Sequence, residues 1–136
     1  MDQATRWSHQ MQLPAEAESV PRARHFVDAV LIDHRFLNLV DEMRLVVSEL
    51  ATNAVRHAHT PFTVALERVD RSVLLTVTDA SPETPVQVTT DLLDTGGRGL
   101  SIVDLVSGDW GVIRRPGDGK SVWASFALRP GTRQRD

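Results

Sequence analysis

The hydrophobic patterning of this 136-residue chain predicts an α+β fold, a two-layer sandwich. In it a mostly antiparallel, mixed sheet carries three helices on one face. Three observations predict it. Two apolar stripes at helical spacing occupy the first half of the chain. At residue 62 the period changes to alternation. A glycine cluster and a short third helical pattern then separate the first alternating segments from the last two.

Residues 6–13 are expected to form an opening strand. A helix follows from near Ser19, with Pro21 in its first turn, where a missing N–H costs nothing. Its apolar stripe is Val20, Ala23, Val27, Val30 and Leu31. A second helix is predicted over 39–58, with Leu39, Met43, Val46, Val47, Leu50 and Ala54 as its core face and Pro61 just beyond its end. In "FTVALERV" Phe62, Val64 and Leu66 share a side, and in "VLLTVTD" so do Val73, Leu75 and Val77, as in half-buried strands joined by a hairpin at "DRS". Residues 80–97 read as a long loop, which in a small domain is more often functional than idle. A short helix is predicted over 99–106, then strands over 109–115 and 120–128. The polar segment 129–136 reads as a tail, leaving one domain across 1–136 with its core in 19–128.

Composition narrows the function. With 18 acidic against 15 basic residues the net charge is −3, which argues against a nucleic-acid binder, since that needs a basic surface. The absence of cysteine excludes disulfides and thiolate metal sites. No apolar run has the ~20 residues of a membrane span, and "MDQATRWSHQ" lacks a signal-peptide core, so a cytoplasmic protein is expected. His57 and His59 point to different sides of a helix, and His9, His25 and His34 are scattered, so no histidine metal site is expected. Trp7, Trp110 and Trp123 read as core or interface residues.

The polar residues of "ELATNAVRH" are less ordinary. Glu49, Asn53 and His57 fall at intervals of four along one edge of the second helix, beside its apolar stripe. A carboxylate there is partly desolvated, and either an ion pair with Arg56 or Arg44 or a ligand must compensate it. Asp79 ends its strand in phase with Val77 and therefore points inward. It serves either an Asx turn or as a buried acceptor for a ligand N–H. In "TGGRGLSIVDLV", Gly96, Gly97 and Gly99 precede a helical pattern, and N–H groups at a helix start suit phosphate. Each feature alone has an ordinary structural explanation.

Taken in order, "ELATNAVRH", "DASP", "GGRGL" and "GKSVWASF" resemble the ATP-binding domain shared by gyrase, heat-shock chaperones, histidine kinases and MutL, the Bergerat fold. The stand-alone form resembles the bacterial anti-sigma factor serine/threonine kinases, over roughly residues 19–128. The resemblance implies ATP and Mg²⁺ as cofactors. It implies that Asn53 holds Mg²⁺ at the ATP phosphates, that Glu49 is the general base, and that Arg56 approaches the phosphates, with His57 beside them. It implies that Asp79, with Ser81 near it, receives the adenine amine, and that Gly97, Arg98, Gly99 and Leu100 wrap the phosphates. Ser121 stands where the family often has threonine near the adenine. Strict alternation sets Ser121 with Trp123 and Ser125, opposite Val122, Ala124 and Phe126, and leaves open which set faces inward. The chain departs from the family pattern at Ser81 and Glu83, where glycines usually follow the adenine-binding aspartate.

The function so implied is an ATP-dependent serine/threonine kinase that sequesters a sigma factor and phosphorylates an anti-sigma factor antagonist, as a homodimer without membrane or direct nucleic-acid contact. The alternative is a non-catalytic partner-switching module whose nucleotide is structural or absent. At 136 residues the chain is expected to be too short for a histidine kinase's phosphoacceptor helices as well. In "SVPRARHF", Arg22 and Arg24 lie near the start of the first helix, where the dipole disfavours cations. They are either ordinary surface residues or a docking site for an acidic patch on a partner, the use that the resemblance implies for this region.

Overall fold

The computed structural model describes residues 6–57, 59–80, 109–115 and 119–128. Its elements are β1 (Arg6–Leu13), α1 (Ser19–Asp33), a 3-10 turn (Leu37–Leu39), α2 (Val40–His57), β2 (Phe62–Val69), β3 (Ser72–Asp79), β4 (Asp109–Arg115) and β5 (Gly119–Ala127). The five strands form one sheet in the order β1-β2-β3-β5-β4. Among the described residues all four pairings are antiparallel, in keeping with the mostly antiparallel sheet expected. The described residues hold two α-helices; the third predicted helix (99–106) and the long loop before it lie outside them.

Alternation decides what each face of the sheet does. Successive side chains point to opposite faces, so one set packs on the helices and the other meets solvent. The helix side carries Leu13, Phe62, Val64, Leu66, Val73, Leu75, Val77, Val122, Ala124 and Phe126, all buried. On the other face the register places Gln10, Gln12, Thr63, Glu67, Thr76 and Thr78. From α1 the core takes Ala23, Val27, Val30 and Leu31, and from α2 Met43, Val46, Val47, Leu50, Ala51 and Ala54. Fully burying one Val, Leu or Phe contributes about 1.5–3 kcal/mol, so these interlocked faces are the main source of stability.

Local chemistry sets the ends of α1. Ser19 Oγ donates to the Pro14 carbonyl at 2.6 Å, which ties the helix start to the end of β1. At the other end Phe36 N–H donates to Leu31 O and Arg35 N–H to Ile32 O, a Schellman closure with Arg35 at φ 66°. Buried Phe36 then anchors the chain reversal. In α2, Asp41 and Glu42 occupy the first turn and Arg56 and His57 the last, the charge order the helix dipole favours.

That reversal brings distant histidines together. His9 Nε2 and His34 Nε2 are 3.0 Å apart, and Trp7 stacks on His34 with ring centroids at 4.0 Å. Burial, chiefly, and then the neighbouring charges of His9 and Arg68 hold the His34 imidazole below its usual pKa, against an opposing pull from Asp33. Among the described residues no helix is long and apolar enough to cross a membrane.

Candidate functional site

The site begins with the face that α2 lays on the sheet. Leu50, Asn53, Ala54 and His57 stand at i, i+3, i+4 and i+7, so they line one side of the helix. Opposite them, β3 contributes Val77 and Asp79, and β5 contributes Lys120 and Val122. The register makes these cross-strand pairs, Val77 with Val122 and Asp79 with Lys120. The eight side chains enclose one cavity between α2, β3 and β5.

Three of its four polar side chains are buried, His57 being half-buried. Asn53, Asp79 and Lys120 have relative exposures of 8%, 4% and 9%. Burying such groups is costly unless each finds a partner. Lys120 Nζ donates to Asp79 Oδ2, an ion pair inside the protein. The Asn53 side-chain carbonyl oxygen is buried and accepts no hydrogen bond among the described residues. An amide oxygen held without a donor is a hard ligand suited to Mg²⁺. A carboxylate such as that of Asp79 is suited to receive an amine. The donor set thus fits a hard cation at Asn53 and an amine at Asp79.

Backbone constraints place the Asp79–Lys120 pair. Gly119 has φ +101°, and a Cβ built on it would lie 1.9 Å from the Asp79 carbonyl oxygen. Glycine therefore permits β5 to begin hard against the last residue of β3. Thr60 Oγ1 accepts from Ala80 N–H at 3.2 Å and pins the same strand end.

Several expected site residues stand elsewhere. Ser121, expected near the adenine, faces the side of the sheet away from the cavity, its hydroxyl 2.8 Å from that of Thr78. The pleat puts Lys120, one residue earlier, at the inward position. Glu49 is half-buried one turn before Asn53, outside the cavity lining, and makes no ion pair with Arg56 or Arg44; Arg44 pairs with Asp28 at 3.4 Å. Arg56 is exposed on the last turn of α2 and does not line the cavity. Arg24 is half-buried and donates to Ser48 Oγ at 3.3 Å, whereas Arg22 is exposed. Ser81, Gly97, Arg98, Gly99 and Leu100 lie outside the described residues.

Sequence reasoning missed Lys120 although two clues marked it. It alternates in phase with Val122, Ala124 and Phe126, and it is the only lysine in the chain.

A family model described as the histidine kinase-like ATPase domain matches residues 13–126, from the end of β1 to the last buried residue of β5. No curated protein matches the chain.

Proposed function

This chain belongs to the histidine kinase-like ATPase domain family, and from that premise we propose an ATP-dependent serine/threonine kinase that acts as an anti-sigma factor. It sequesters a sigma factor as a homodimer and is released when it phosphorylates a small antagonist protein. The observation that carries the ATP-binding part is the buried, unsatisfied carbonyl oxygen of Asn53 in the same cavity as the Asp79 carboxylate.

Phosphoryl transfer asks mainly for positioning and charge neutralisation. Mg²⁺, when bound with ATP, supplies that neutralisation at the phosphates. Asn53 holds it from α2 by its side-chain oxygen, and Asp79 orients the nucleotide by accepting from the base. Glu49, one helical turn before Asn53 and in no ion pair among the described residues, keeps its carboxylate available. It takes the proton from the attacking serine or threonine hydroxyl, a role that typically contributes ~100- to 10,000-fold in rate. The partner assignment rests on the resemblance of the motifs to stand-alone anti-sigma kinases and on the exposed Arg22 near the start of α1.

One observation favours a second reading, a partner-switching module with weak nucleotide binding: Lys120 already occupies the Asp79 carboxylate. Thermal unfolding with and without Mg-ATP, followed by transfer of labelled phosphate to candidate antagonists, separates the two. A ligand that binds only the folded state at 100 times its Kd stabilises by about 2.7 kcal/mol. Asn53→Ala should abolish the shift. Glu49→Gln should keep the shift and lose most phosphoryl transfer. An unchanged melting curve at millimolar Mg-ATP sinks the nucleotide site, and a Glu49→Gln variant that transfers at the parent rate makes Glu49 structural.

A further inference from the structure

The base end of the site holds a cation of the protein's own. Lys120 and Asp79 are both buried, directly opposite each other on β5 and β3, and bonded through Nζ and Oδ2. With the lysine in that place the cavity is about 10 Å³, the room of one water. A fused purine is several times larger. One oxygen of the acceptor a purine amine would use is engaged, and the lysine lines the small cavity the ring would enter.

We propose that Lys120 is an affinity-determining gate of the nucleotide site: its ammonium holds Asp79, and a purine enters only as the lysine swings out to solvent. This rests on the ATP-binding function proposed above and adds to it a competitor built into the chain. The flexible four-carbon stem of lysine permits the movement, and its compact ammonium is readily rehydrated once outside. Asp79 then exchanges a charge-assisted bond to Lys120 for a bond to a neutral amine. Because charge-assisted bonds are the stronger kind, the exchange lowers affinity. A site competent in only a fraction of molecules binds weaker by that fraction.

Lys120 being the only lysine makes the test direct. The parent protein is treated with an amine-acetylating reagent, with and without adenosine or Mg-ATP, and Lys120 acetylation is followed by mass spectrometry apart from the terminal amine. The gate predicts slow labelling alone and labelling several-fold faster with either ligand. Protection, or an unchanged rate under ligand that demonstrably binds, overturns it, because the lysine then stays in the site. In parallel, Lys120→Thr and Lys120→Ala open the base end and should bind adenosine and ATP roughly tenfold tighter, with folding checked by circular dichroism. Lys120→Arg keeps the charge and should gain nothing. Weaker adenosine binding by both opened variants also overturns the gate. If the parent does not bind and an opened variant does, the gate stands in its strongest form. If neither parent nor opened variants bind, the ATP-binding function itself falls, and the gate with it.

Discussion

Replacing Gly119 by alanine tests how the candidate site is built. A methyl group there would lie 1.9 Å from the Asp79 carbonyl oxygen and 2.7 Å from Ala80 Cα, where ordinary contacts are 3.4–4 Å. Both obstacles are backbone, so β5 and β3 must part by well over an ångström at the residues that carry Lys120 and Asp79. The φ of +101° adds strain for any L side chain, about 1–3 kcal/mol, and overpacking a close contact costs a further ~1–3 kcal/mol. The expected loss is roughly 2–6 kcal/mol, a large part of the ~5–15 kcal/mol that stabilises a domain. At this chain length that lowers Tm by roughly 7–20 °C. Urea unfolding followed by circular dichroism measures it. Gly111→Ala is the control, since its added Cβ would meet the Trp123 ring at 2.9 Å, a side chain that can shift, and about 1–2 kcal/mol is expected. A Gly119→Ala protein as stable as the parent, or no less stable than Gly111→Ala, would refute the close approach of β5 to the end of β3.

Two further predictions concern other parts of the fold. The folded protein favours neutral His34, so this residue contributes stability that is fully present above its unfolded pKa of about 6.5 and is lost as pH falls through the lower folded value. His34→Phe, which keeps a ring on Trp7, should lose less stability than the parent between pH 7 and pH 5; equal losses in urea unfolding would mean that other groups carry the acid sensitivity. Arg22→Ala and Arg24→Ala should weaken capture of the proposed sigma-factor or antagonist partner without changing the Mg-ATP melting shift, and Arg24→Ala, which also loses the bond to Ser48, should cost up to about 1 kcal/mol of stability. Pull-downs in which both variants match the parent would move the partner surface elsewhere.

The periods in the chain were enough to name the described elements and the buried faces of α1, α2, β2 and β3. Alternation in 62–69 and 72–79 put Phe62, Val64, Leu66, Val73, Leu75 and Val77 on one side because the pleat has a period of two, and the structure buries all six. The same period made Asp79 inward-facing, and the stripes of α1 and α2 followed from 3.6 residues per turn. Period within a strand, however, says nothing about which residue of another strand lies opposite. Only the β3–β5 register set Lys120 across from Asp79 and turned Ser121 to the far face. Likewise a four-residue interval put Glu49, Asn53 and His57 on one edge of α2, but the lie of that helix on the sheet admitted Asn53 and His57 to the cavity and left Glu49 outside its lining. His9 and His34 met because a Schellman closure turns the chain back beside β1. Local periodicity is a property of neighbours along the chain, whereas a site is made where separate elements are pressed together, and their relative placement is set by packing of the whole core.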